Sequence, residues 1–190
     1  MLDVLTVLFW TIAYILIIIH GFRSLKSAIV YMPILSGGLN LAWEINAWMA
    51  SGGLWGHVIW TLLDVIIFAI NFILLLRRKR VFAALYLVGE IVVIISLEIL
   101  FCWQDGMLIT VFVIDFIMAI EYFLEKDCTA RGKGIIGVLR LLGDLCAWIM
   151  CNDNLIIVFL LGSGVLLLNL LYLNKCYQSR GNTNKEVSKV

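Results

Sequence analysis

The sequence predicts an all-α polytopic membrane protein of seven transmembrane helices, with its N-terminus outside and its C-terminus cytoplasmic. Three observations carry this. Hydrophobic residues make up 63% of the chain and charged residues 14%, against roughly 45–50% and 25% in a soluble domain. Seven apolar stretches fill most of the 190 residues, each reaching the roughly 17–25 residues that a crossing helix needs. Thirteen of the 14 Lys and Arg residues fall into four clusters, Arg23–Lys26, Arg77–Arg80, Lys126–Lys133 and Lys175–Lys189. The alternate connections, Ala50–His57, Trp103–Met107 and Cys151–Asn154, hold neither residue. Positive charge on every second loop sets the orientation.

The first span covers about 3–20 and opens Met1-Leu2-Asp3. With no positive n-region and no small-residue cleavage site, it reads as an uncleaved helix. The second covers about 27–50 and contains the chain's single proline, Pro33, ahead of Gly37-Gly38, which predicts a kink in its cytoplasmic half. The third and fourth cover about 57–76 and 81–102, and the fifth about 107–125. The sixth covers about 134–151 and the seventh about 155–174. In the seventh, Gly162-Ser163-Gly164 predicts close helix packing. Residues 1–175 thus form one transmembrane domain, and 176–190 read as a short, polar, disordered cytoplasmic tail. The first three and last three spans run in the same order of directions around the fourth, which leaves room for a 3+1+3 parallel repeat. The local support is Ala42-Trp43-Glu44 in the second span against Asp144 with Ala147-Trp148 in the sixth.

Six carboxyls lie well inside spans: Glu44, Asp64, Glu90, Glu98, Asp115 and Asp144. One Asp at a bilayer centre costs roughly 2.5–3.5 kcal/mol on insertion scales. These groups are therefore expected to face the interior, stay protonated or find partners. Arg140, the one basic residue within a span, stands one turn before Asp144 and offers it a local ion pair. Spacing places Gly37, Asn40, Glu44 and Trp48 on one helical face, and His57, Trp60 or Thr61, Asp64, Phe68 and Asn71 on another. All seven tryptophans fall in the outer half, where an aromatic belt accounts for Trp55 and Trp103. Trp43 and Trp60 lie deeper and flank acids, as cavity walls or as plain packing. His57, at a membrane boundary, reads as incidental, with a proton-relay role as the alternative, and His20 reads as a solvated residue ending the first span.

The five cysteines form no C-x-x-C and no metal-ligand spacing, so five free thiols are expected. Cys102 and Cys151 share one side, and pairing them needs Cα atoms within about 7 Å. No phosphate loop, nucleophile elbow, haem-ligand spacing or D-D-x-x-D motif is present. No metal and no cofactor are expected. The basic clusters are short loops between spans, which argues against nucleic acid as a partner.

Asn40-x-x-Trp43-Glu44, followed by Trp60-x-x-x-Asp64, resembles the small integral-membrane terpene cyclases of fungal meroterpenoid and indole-diterpene pathways and their bacterial relatives. Leu139-Arg140-x-x-Gly143 is similar to the same family. The likeness is concentrated at residues 36–68. It implies proton-initiated cyclisation of a lipophilic polyprenyl chain by a terpenoid-biosynthesis enzyme of isomerase or lyase type. Glu44 would donate the proton and Asp64 or Asn40 would orient and resupply it. Trp43, Trp48 and Trp60 would stabilise the travelling cation, with Asp144 and Tyr172 lining the substrate. The family's last helix carries Asp-x-x-Tyr, whereas this chain reads Asn169-Leu170-Leu171-Tyr172. An amide cannot relay a proton as a carboxyl can, so Asp64 or Asp144 would have to take that role.

Two other classes fit the same residues: a proton-coupled transporter of 3+1+3 type, built on Glu90, Asp115 and Asp144, and a non-catalytic accessory membrane protein. In each case the protein is multi-pass and surrounded by membrane lipids. Its membrane would be the plasma membrane in a bacterium or the endoplasmic reticulum in a eukaryote. The sequence leaves the oligomeric state open.

Overall fold

The protein, represented by a computed structural model, is described over residues 1–25, 31–53, 55–78, 80–103, 105–125, 128, 130, 132–151 and 155–187. Its elements are α1 (Leu2–Ser24), α2 (Ile34–Ala50), α3 (Trp55–Arg78), α4 (Arg80–Phe101), α5 (Gly106–Leu124), α6 (Lys133–Cys151) and α7 (Ile156–Val187). Among the described residues the chain is all-helical, with no strand. All of these helices except α2 are long and apolar enough to cross a membrane, six in number, which fits a helical membrane protein. The outer surface agrees with that setting. On α4, Val81, Phe82, Leu85, Val88, Ile91, Val92, Ile95 and Ile99 are all exposed, a surface that water would not tolerate and lipid does.

The second element departs from the expected span. α2 begins at Ile34 with Pro33 as its N-cap (φ −54°, ψ 143°), so the proline starts a helix where a kink within one was expected. Its missing N–H costs nothing there, because the first amides of a helix have no intrahelical partner. The residues expected to form the first turn of that span, 27–30, lie outside the described residues. α7 also differs, continuing to Val187 where a disordered tail from residue 176 was expected. Polar side chains continue its i, i+4 pattern beyond the apolar run. Gln178 Nε2 donates to Asn174 Oδ1 (3.3 Å) and Ser179 Oγ to the Lys175 carbonyl (2.8 Å).

The chain divides into two compact units, residues 17–118 and residues 1–16 with 119–190, whose boundaries fall within α1 and α5. In the first unit α2 packs against α3 and α4, and α3 against α4. Ala42, Leu97 and Ile114 form its apolar core, joining α2, α4 and α5. The α2–α3 turn is made at Gly52 (φ +67°) and Gly53 (φ +93°), a backbone region open to glycine at little cost. At the other end, Arg77 Nη1 donates to the Leu25 carbonyl (2.5 Å), and the His20 ring stacks on Tyr31 at 5.0 Å. His20 is therefore packed, not the solvated terminal residue expected of it.

In the second unit α6 packs against α7. Lys133 is buried and pairs with Glu125 (2.5 Å), while Lys175 donates to the carbonyls of Phe123 and Glu125. Lys175 thus caps the end of α5, and Lys133, the first residue of α6, ties that helix to Glu125, just past the end of α5. The five cysteines are all free, as expected.

Close packing at Gly162 is also borne out. A Cβ there would lie 2.1 Å from Trp148 Cδ1, and Trp148 is tied to Phe159 by ring contact at 5.6 Å and by Nε1 donating to its carbonyl (3.3 Å). Gly162→Ala is expected to cost about 1–3 kcal/mol by overpacking. Gly89→Ala, whose Cβ meets open space on α4, should be neutral or stabilising by up to about 1 kcal/mol. Unfolding of both variants in the same detergent checks this, and equal stabilities would refute it.

Candidate functional site

Three acids of the first unit, Glu44, Asp64 and Glu90, are buried on α2, α3 and α4, which pack against one another. Glu44 is buried on α2, and its Oε2 lies 2.8 Å from Nδ1 of His57 on α3. This contact holds a proton in either form: an imidazole N–H donating to a carboxylate, or a carboxyl O–H donating to a neutral ring nitrogen. Aromatic edges surround it, with the His57 ring 5.9 Å from Trp43 and 6.2 Å from Trp60. Trp43 is held in turn by α5, its Nε1 donating to the Met107 carbonyl (3.3 Å) and to Thr110 Oγ1 (3.2 Å). Asn46 anchors α2 to α4 by donating to the Ile94 carbonyl (3.1 Å).

Asp64, two turns along α3 from His57, is wholly buried, and neither of its oxygens has a hydrogen-bond partner among the described residues. The groups that act on it electrostatically are Glu44 and Glu90. Glu90 reaches this place from α4 because α2 offers no side chain there. A Cβ on Gly38 would lie 2.6 Å from Glu90 Oε2, and one on Gly37 would lie 2.7 Å from Asn71 Nδ2. The Gly37-Gly38 pair is thus the recess that admits polar groups from α3 and α4 against the α2 backbone.

The second unit holds a separate polar core on α6 and α7. Asn169 Nδ2 donates to Asp144 Oδ2 at 2.6 Å, and Trp10 of α1 also bears on the Asp144 carboxyl. Arg140 is fully buried. Its guanidinium lies over the Tyr122 ring, 3.9 Å from the centroid, with Trp10 at 5.7 Å. Its three nitrogens find no hydrogen-bond acceptor among the described residues. Arg140 and Asp144 were expected to form an ion pair, but none within 4.0 Å is present among the described residues. The aromatic faces of Tyr122 and Trp10 hold the cation, while the amide of Asn169 holds the carboxyl. Tyr172 is buried, its ring 5.4 Å from that of Tyr122.

The residues singled out from sequence therefore separate into two groups. Glu44, Asp64, Trp43 and Trp60 come together in the first unit, with Asn40 buried one turn from Glu44. Asp144, Asn169 and Tyr172 come together in the second. Trp48 joins neither, since it is 41% exposed beside the α2–α3 turn. Glu98, expected to face the interior, stay protonated or find a partner, is exposed, and it lies within one turn of the end of α4, where its carboxylate can reach the interface. Sequence reasoning missed His57 as the partner of Glu44, and it missed Trp10 and Tyr122 as the seat of Arg140. The signal for His57 was its place on the Asp64 face. The signal for the aromatics was that the one intramembrane arginine needed a partner.

Comparison with protein-family models, curated proteins and solved structures gives no match.

Proposed function

We propose that the Glu44 site donates a proton to a lipophilic polyprenyl chain and starts its cyclisation, the activity of the membrane terpene cyclases that the chain resembles. The observation that carries this reading is the buried Glu44–His57 contact beside Trp43 and Trp60, with Asp64 next in line and no cation among these neighbours. Glu44 gives its proton to an olefin carbon or an epoxide oxygen, leaving a carbocation that successive double bonds capture. A carboxylate takes a proton from the last cation, so substrate and product are isomers and the acid is restored. Indole faces stabilise the cation by about 2 kcal/mol or more away from water, and a site excluded from water keeps the cation from being quenched. His57 fixes the position of the Glu44 carboxyl. The family acid replaced by Asn169 is supplied from the neighbouring helix, since the Asn169 amide is bonded to Asp144.

The orientation belongs to the same proposal. The N-terminus lies outside and the C-terminus in the cytoplasm, by the alternation of basic loops. Cysteines placed at Ser51 and Lys189 should label from opposite sides, and labelling from one side would reject it. The 3+1+3 repeat belongs to the same proposal, on the pattern of Ala42-Trp43-Glu44 in α2 and Asp144 with Ala147-Trp148 in α6.

A second reading, a proton-coupled carrier, is favoured by Glu90, which brings a third carboxyl from a third helix to the same place. Lipid extracts from a host fed polyprenyl substrates, with and without a terminal epoxide, separate the two. The parent chain should yield cyclised isomers, with Asn169→Asp at least as active. No product from either chain on any substrate transfers the site to the carrier reading.

A further inference from the structure

Asp64 is the anomaly of the first unit. A buried polar group left without a partner costs about 1–3 kcal/mol, and both Asp64 oxygens are in that state. An amide or an arginine nearby would remove the cost, yet the groups acting on Asp64 are two further acids. Glu90 Oε1 likewise has no partner among the described residues. The packing holds these acids together. Glu90 lies against Gly38, six residues from Glu44 along α2, a rise of about 9 Å, and both acids act on Asp64 of α3. The titratable side chains around this place are Glu44 of α2, His57 and Asp64 of α3, and Tyr86 and Glu90 of α4. The described arginines of the unit, Arg23, Arg77, Arg78 and Arg80, stand at helix ends.

Like charges brought together away from water cannot all be ionised, so such a set shares protons and titrates as one system. The set also has an opening. His57 retains 18% exposure while bonding the buried Glu44, and it sits two residues from the start of α3. Asp64 is fully buried and Glu90 is buried.

We infer that His57, Glu44, Asp64 and Glu90 form a proton-relay line across α2, α3 and α4, with His57 as its gate and Glu90 as its interior store. A proton lost from Glu44 is replaced by the Asp64 proton, and that of Asp64 by the Glu90 proton. That leaves the vacancy at Glu90, which refills as the Glu44 proton passes back to Asp64 and the Asp64 proton to Glu90, while His57 takes a proton from the medium at one ring nitrogen and releases one to Glu44 from the other. A proton returned to the site leaves for the medium by the reverse path, so uptake and release cancel over the cycle. What Glu44 does with its proton rests on the reading above, whereas the sharing of protons among the four groups does not.

Infrared spectroscopy of the full chain in lipid nanodiscs, with transfer into heavy water, tests the relay without any substrate. The parent should show absorption from protonated carboxyls that exchanges readily. Asp64→Asn should remove part of it, and Glu90→Gln should change the pH dependence of the carboxyls that remain. His57→Gln should slow their exchange while leaving the absorption itself in place. Where Glu90→Gln lowers the yield of folded protein, Glu90→Asp is read for the same change in pH dependence. An unchanged pH dependence in the folded Glu90 variant, or exchange at the parental rate in His57→Gln, overturns the relay. Because no product is measured, failure of the cyclase reading leaves this result intact, and failure of the relay leaves Glu44 as a lone donor.

Discussion

Glu44→Gln is expected to insert and fold as the parent does, yet to lose product formation by about a hundredfold to ten thousandfold, the range for removal of a positioned general acid. The geometry explains why the fold survives. Glu44 faces His57 Nδ1 at 2.8 Å, and a glutamine amide can accept from or donate to that nitrogen in either ring form. Only the transferable proton is lost. Glu44→Ala is a poorer probe, because it leaves His57 without its partner, at about 1–3 kcal/mol, and opens a cavity beside Trp43. Product assays and unfolding measurements on the same preparations separate the two effects. Turnover of Glu44→Gln at the parental rate would end the proton-donor assignment.

Arg140→Met is expected to lower stability by about 3–5 kcal/mol, the loss seen when one member of a buried charged set is removed. Two effects compete. The guanidinium has no hydrogen-bond acceptor among the described residues, so its burial is expensive and a methionine of similar length would relieve that cost. Against this, the cation acts favourably on the buried Asp144 carboxyl and rests on Tyr122 at 3.9 Å. The second effect should win, because Asp144 would remain buried with only the Asn169 and Trp10 contacts. The double variant Arg140→Met/Asp144→Asn should then cost less than Arg140→Met alone. Denaturant unfolding of the four proteins completes a double-mutant cycle. A stabilising Arg140→Met, or a double variant that loses the full sum of the two single losses, would show that Arg140 and Asp144 do not support each other.

The helices were legible because apolar length and the spacing of basic loops are properties of the chain itself. Even Pro33 was legible as a break; what sequence could not decide was whether it bends a helix or begins one, since that depends on what precedes it. Glu44 and Asp64 were readable as a pair because each lies on a polar stripe of its own helix. The Glu44–His57 contact was harder to find. His57 sits near the boundary by count, and its approach to Glu44 depends on how tightly Gly52 and Gly53 turn the chain between α2 and α3. Glu90 joins the group only because Gly37 and Gly38 let α4 come near α2. The Arg140–Asp144 pair was the reverse case. Spacing along α6 allowed it, but Tyr122 and Trp10, which come from α5 and α1, took the guanidinium instead.

The shortness of α2 has a consequence for how the protein is made. At 17 residues, with Asn40, Glu44 and Asn46 along it, this helix stands at the lower limit of a span and partitions into lipid less readily than a wholly apolar one. Its neighbours α1 and α3 are each long and apolar enough to cross. α3 follows directly after the glycine turn, so a hairpin of the two helices would bring Glu44 to His57 before α4 is made. In that order the acids of α2 and α3 would first be shielded by each other's helix, and α4 would add Glu90 and cover them. The order of synthesis would then match the order in which the buried carboxyls acquire their surroundings.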